Sequence, residues 1–92
     1  MPSILIPTPL RAYTGGASSV RVEGATVGEA LDALLGAHPG LSKHLRDGEG
    51  KLRSFINVYL GEDDIRFLDR EATSVGPDAE LTIVPSIAGG AP

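Results

Sequence analysis

The chain of 92 residues contains no cysteine. That excludes disulfides, cysteine-ligated zinc, iron–sulfur ligation and a thiol nucleophile. No apolar run approaches the roughly 18 residues that span a bilayer, so no membrane segment is expected. The start, Met1-Pro2-Ser3-Ile4-Leu5-Ile6-Pro7, lacks the basic and long apolar stretches of a secretory signal. A soluble, cytoplasmic chain is the expectation. Positive charge is also scarce: 8 Lys and Arg against 12 Asp and Glu leave a net −4. Nucleic-acid binders normally show a basic face, and a mildly acidic domain is better steered toward basic patches on partner proteins. Internal repeats, a P-loop lysine pattern and G-x-G-x-x-G are all missing. The length allows one small domain with one core.

What is present reads as alternating strands around a single helix. Residues 3–7 are short, apolar and β-branched, and Pro7-Thr8-Pro9 ends that strand because proline cannot donate to a central ladder. Residues 13–18 form a turn in which Gly15 and Gly16 are free to take positive φ. Ser19-Val20-Arg21-Val22-Glu23 alternates with period two, so it pairs with the first strand as a hairpin. Thr26 and Glu29 match a capping box, and Val27, Ala30, Leu31, Leu34 and Leu35 line one helical face. His38-Pro39-Gly40 stops that helix, and Leu41 and Leu45 anchor a second short helical turn. Residues 55–60 carry the strongest strand signal, followed by a turn at Gly61-Glu62-Asp63-Asp64 and a brief extended piece at Ile65-Arg66-Phe67. Gly76-Pro77-Asp78-Ala79 is a turn before a final strand over residues 80–85.

One amphipathic helix must bury its stripe across one face of a sheet. The last strand can pair in parallel with the first, because the chain between them is long enough for a crossover. The predicted fold class is therefore α+β, a β-grasp (ubiquitin-like) mixed sheet with one main helix. It occupies residues 1–85, and residues 86–92 form a flexible tail carrying the diglycine Gly89-Gly90. Glycine without a Cβ passes through narrow channels. From Pro85 to Gly90 an extended tail reaches about 15–20 Å, at roughly 3.3 Å per residue.

The strand order, Phe55-Ile56-Asn57-Val58, the segment from Gly76-Pro77-Asp78 to Val84-Pro85 and the terminal Ala88-Gly89-Gly90 resemble the bacterial ubiquitin-like sulfur carriers. That family includes the molybdopterin synthase small subunit and the thiamin sulfur carrier. The latter half of the chain looks closest to carriers of a cysteine-biosynthesis route. The resemblance implies that an E1-like activating enzyme uses ATP to adenylate the Gly90 carboxylate, which a sulfur donor converts to a thiocarboxylate. A partner synthase then takes the sulfur: a cysteine synthase, a molybdopterin synthase large subunit, or an enzyme of thiazole or thiosugar formation. Without cysteine, any sulfur this chain handles cannot sit on its own thiol. No cofactor is expected on the carrier itself, which is a co-substrate with no catalytic residues. Gly89 supplies clearance in the channel.

Ala91 and Pro92 depart from this pattern, since carriers of the class end at the second glycine. An amide to Ala91 cannot be adenylated, so the resemblance implies cleavage between Gly90 and Ala91, by a metalloprotease of the kind acting on related carriers. The competing readings are a ubiquitin-like modifier joined to lysines of targets through Gly90, and a β-grasp binding module with an inert tail.

The remaining candidates read as structure. His38 and His44 are surface histidines, Glu62-Asp63-Asp64 is a solvated turn without calcium-loop spacing, and no serine sits in a nucleophile elbow. No metal site is expected. On the strand, Phe55 and Tyr59 point together, opposite Ile56 and Val58. One set faces the helix and the other is free to dock partners; the sequence leaves open which. Phe67 is a further candidate for that docking surface, with Arg66 and Arg70 at its rim to pair with partner carboxylates.

Overall fold

A computed structural model of the chain describes residues 1–85. Its strands are β1 Ser3–Leu5, β2 Ser19–Arg21, β3 Ile56–Leu60, β4 Asp63–Asp64 and β5 Glu80–Pro85; its helices are α1 Val27–Ala37 and α2 Ser42–Leu45. They form one mixed sheet in the order β2-β1-β5-β3-β4. Apolar alternation at both chain ends produces the central pair, β1 with β5, parallel and in register from Ser3↔Glu80 to Leu5↔Thr82. On the other side of β5, β3 runs antiparallel from Ile56↔Pro85 to Leu60↔Leu81.

Helix α1 starts where its sequence says it should. Thr26 Oγ1 accepts the Glu29 N–H at 3.2 Å. The Glu29 carboxylate reaches back one residue further than the simplest capping box, accepting the Ala25 N–H at 2.8 Å. At the other end Pro39 prevents continuation, and the His38 N–H closes the last turn on Leu34 O. Val27, Ala30, Leu31 and Leu34 of α1 are buried in one cluster with Ile4, Ile6, Val58, Leu81 and Ile83 of the sheet side. Full burial of each large aliphatic stabilises by roughly 1.5–3 kcal/mol. Leu41 and Leu45 plug the same core from the second helical turn. Gly24 is obligatory for this packing, since a Cβ there would lie 2.6 Å from the Ala30 backbone nitrogen.

Three local readings are corrected. Residues 8–14, between β1 and β2, form a 3-10 helix before the turn at Gly15 and Gly16, whose φ values are +67° and +88°. Only Gly61 and Glu62 make the turn after β3; Asp63–Asp64 is strand β4, and Gly61 takes φ +61° at the first position of this two-residue hairpin. Residues 65–67 are a 3-10 helix and not an extended piece, because the Asp64 carboxylate caps it by accepting the Arg66 N–H at 2.9 Å. After it, the 73–75 segment is pinned to the start of α1 by Val27 N–H to Thr73 O and Val75 N–H to Ala25 O, each 2.9 Å.

Candidate functional site

Strand β5 delivers the chain end, so the site is built outward from its last residue. Pro85 lies in register with Ile56 at the start of β3. Gly89, Gly90 and Ala91 lie outside the described residues. The surface around the exit follows from alternation: Ile56 and Val58 are buried against the helix side, which puts Asn57 and Tyr59 on the outer face. Of the two sets on the strand, Ile56 and Val58 are therefore the one that faces the helix. Phe55, just before β3, is 38% exposed. Cross-strand pairing sets Tyr59 beside Thr82 and Asn57 beside Val84.

Val84, 39% exposed, is an outer-face apolar residue absent from the sequence candidates. The signal was there: with Leu81 and Ile83 inward, a valine at the next position faces solvent. Phe67 is 86% exposed but stands on the 3-10 helix beyond β4, away from β3, which carries Tyr59, and from Phe55 just before it. Arg66 is not a free rim cation. Its guanidinium pairs with Asp64 at 2.9 Å, which holds the Asp64 carboxyl below the usual carboxylate range and raises Arg66. Arg70 is exposed and makes no side-chain hydrogen bond or ion pair among the described residues.

The histidines are more enclosed than predicted. His38 and His44 are half-buried, and the His44 ring packs 4.5 Å from the Tyr13 ring. His44 is covered by that ring contact from the 3-10 helix of residues 8–14, and His38 is the residue that closes α1 ahead of Pro39. Among the described residues there is no group of three or more His, Cys, Asp or Glu placed to hold a metal. No helix among the described residues is long and apolar enough to cross a membrane.

A five-stranded sheet crossed by one helix, whose central last strand leads into a diglycine, defines the class of β-grasp, ubiquitin-like proteins. A family model described as the ThiS family matches residues 4–90, and the chain belongs to that family. It is 39% identical over 90 residues to the sulfur carrier protein CysO of Mycobacterium tuberculosis, covering 96% of this chain and 97% of that one. It is 43% identical over 82 residues to small archaeal modifier protein 1 of Haloferax volcanii, covering 86% and 90% of the two chains. Among solved structures, a chain of the Amycolatopsis orientalis BexX/CysO complex superposes with a TM-score of 0.88 at 42% identity, over 98% of this chain and all of the other.

Proposed function

We propose that this chain is a sulfur carrier whose reactive group is the Gly90 carboxylate, and that it is a co-substrate of other enzymes, without catalytic residues of its own. The observation that carries the reading is the similarity to a sulfur carrier along almost the entire chain, with the family match reaching Gly90 and stopping before Ala91. A carboxylate is a poor electrophile. Joined to AMP, with pyrophosphate released from ATP, it becomes a mixed anhydride with a good leaving group. A sulfide equivalent attacks the acyl carbon, AMP departs, and the thiocarboxylate keeps a nucleophilic sulfur on the protein. Proteolysis of the Gly90–Ala91 amide must come first, because that amide offers no free carboxylate; a metalloprotease is the proposed agent.

The activating enzyme is E1-like, and the favoured sulfur acceptor is a cysteine synthase. Molybdopterin, thiazole or thiosugar enzymes are the other acceptor classes. That a relative was solved in a complex with a second protein supports docking as the mode of action. The proposed docking surface is the outer face at the tail exit, Phe55, Tyr59 and Val84, with Arg66 and Phe67 as the more distant candidates. A second reading, conjugation to target lysines, is favoured by the match to the archaeal modifier.

Intact mass after incubation with the activating enzyme, ATP and sulfide tests the proposal. A chain ending at Gly90 that gains one sulfur in place of one oxygen supports sulfur carriage. Isopeptide ladders without that gain support the modifier. Sulfur gained with Ala91 and Pro92 retained refutes the processing step.

A further inference from the structure

The chain is acidic overall, yet one groove is basic. It measures about 420 Å³, toward the small end of the usual range for ligand-binding clefts. Lys51, Arg53, Arg66 and Arg70 line it, four of the eight cations in the chain. Glu71 is the one carboxylate in the lining, and it is already spent on Arg46, with oxygens 2.8 and 3.3 Å from that guanidinium. With four cations and one carboxylate here, the rest of the chain must carry −7 to reach the net −4.

The cations differ in how far they are committed. Arg66 is paired with Asp64, and Arg53 Nε donates to Lys43 O at 2.7 Å. Lys51 and Arg70 are exposed and have no ion-pair partner among the described residues. Asp47, whose field reaches Lys51 and Arg53, is turned to the backbone N–H groups of Glu49 and Lys51. Arg70 also holds φ +53°, the left-handed region that a glycine would occupy without strain. A long cation is therefore kept at a backbone position that disfavours it. Beneath the cations the groove has an apolar floor, with half-buried Leu52 its accessible part and the core residues Ile56, Val58 and Ile65 behind it.

We infer that this groove binds a short acidic peptide segment of a protein partner, carboxylates on Lys51 and Arg70 and apolar side chains toward the floor. Three observations select this occupant. Charge complementarity requires an anion. The −7 outside the groove repels a polyanion long enough to run past it, which disfavours nucleic acid. The apolar floor gives a bare phosphate nothing to cover, whereas a peptide supplies both chemistries. Location adds a fourth argument: Ile56 lines the groove and sits in register with Pro85. A partner that takes the tail would meet the groove beside the last residue of β5. The sequence had suggested basic partner patches; at this site the complementarity runs the other way. This inference deepens the carrier reading but does not depend on Gly90 chemistry.

The test uses fluorescence anisotropy of the full chain with a labelled short peptide alternating leucine and glutamate. The expected result is saturable binding that weakens with salt and by at least about tenfold in Lys51→Glu and in Arg70→Glu. A peptide with lysine in place of glutamate should not bind, and a chain ending at Pro85 should bind as the full chain does. Lack of binding, or binding indifferent to both charge reversals, overturns the inference. So does displacement by inorganic phosphate or an oligothymidine at concentrations where the unlabelled peptide does not compete. If thiocarboxylate formation succeeds while this binding fails, only the groove assignment falls.

Discussion

Arg70 concentrates a conflict between local backbone preference and side-chain chemistry. Replacing it with glycine removes roughly 1–2 kcal/mol of left-handed strain and adds roughly 0.5–1 kcal/mol of unfolded-chain entropy. Arg70→Gly should leave the urea midpoint unchanged or slightly raised while weakening acidic-peptide binding; a large loss of stability would contradict the strain. At Asp64 the sign of the pH effect follows from its partner. The Arg66 hydrogen bond lowers the carboxyl in the folded state, so the unfolded chain binds more protons in the acid range. The associated stability is present above the ordinary value of about 3.9 and is lost as pH falls through the depressed folded value. Urea titrations of Asp64→Asn against the parent should converge at low pH and separate above it. At this scale legibility in the sequence was uneven. Thr26, Glu29 and Gly61 announce their roles through local rules, whereas the commitments of Arg66 and Glu71 depend on contacts with other side chains that spacing does not encode.

The elements show which physical signals are strong enough to read in advance. Helix α1 combines a cap, a 3.6-residue apolar stripe and a proline stop, and its bounds follow from them. The stripe should dominate the energetics: Leu34→Ala should cost about 2–5 kcal/mol and Thr26→Ala about 0.5–2 kcal/mol, both read from chemical denaturation. Equal costs would mean that α1 is held by its cap and not by its core face. The 3-10 helices at residues 8–14 and 65–67 were not legible. Each is too short to establish a period, and the second is set by a side-chain cap from Asp64. The faces of β3 became legible only with the sheet in place, because Phe55, Ile56, Val58 and Tyr59 offer two apolar faces and alternation alone does not choose between them.

For the whole molecule, topology gathers the proposed docking surface at one end of the sheet. Parallel pairing of β1 with β5 places the last strand centrally, and the β3–β5 register brings Phe55, Asn57 and Val84 to the point where the tail leaves. The order of strands and helix was enough to predict this fold. The basic groove was not predictable, because it assembles cations from residues 51–53 with others from 66–70. If the outer face docks the activating enzyme, Val84→Glu should raise the KM of that enzyme for the carrier by about tenfold or more while leaving thermal unfolding nearly unchanged. An unaltered KM would move the docking surface elsewhere.

The central claim is that the acyl carbon of Gly90 is the reactive end of the chain. ATP–pyrophosphate exchange by the activating enzyme, measured with a chain ending at Gly90 and with one ending at Pro92, tests it most directly. Exchange supported only by the Gly90-terminated chain is the predicted result. Equal exchange with both chains, or none with the Gly90-terminated chain, would contradict the account.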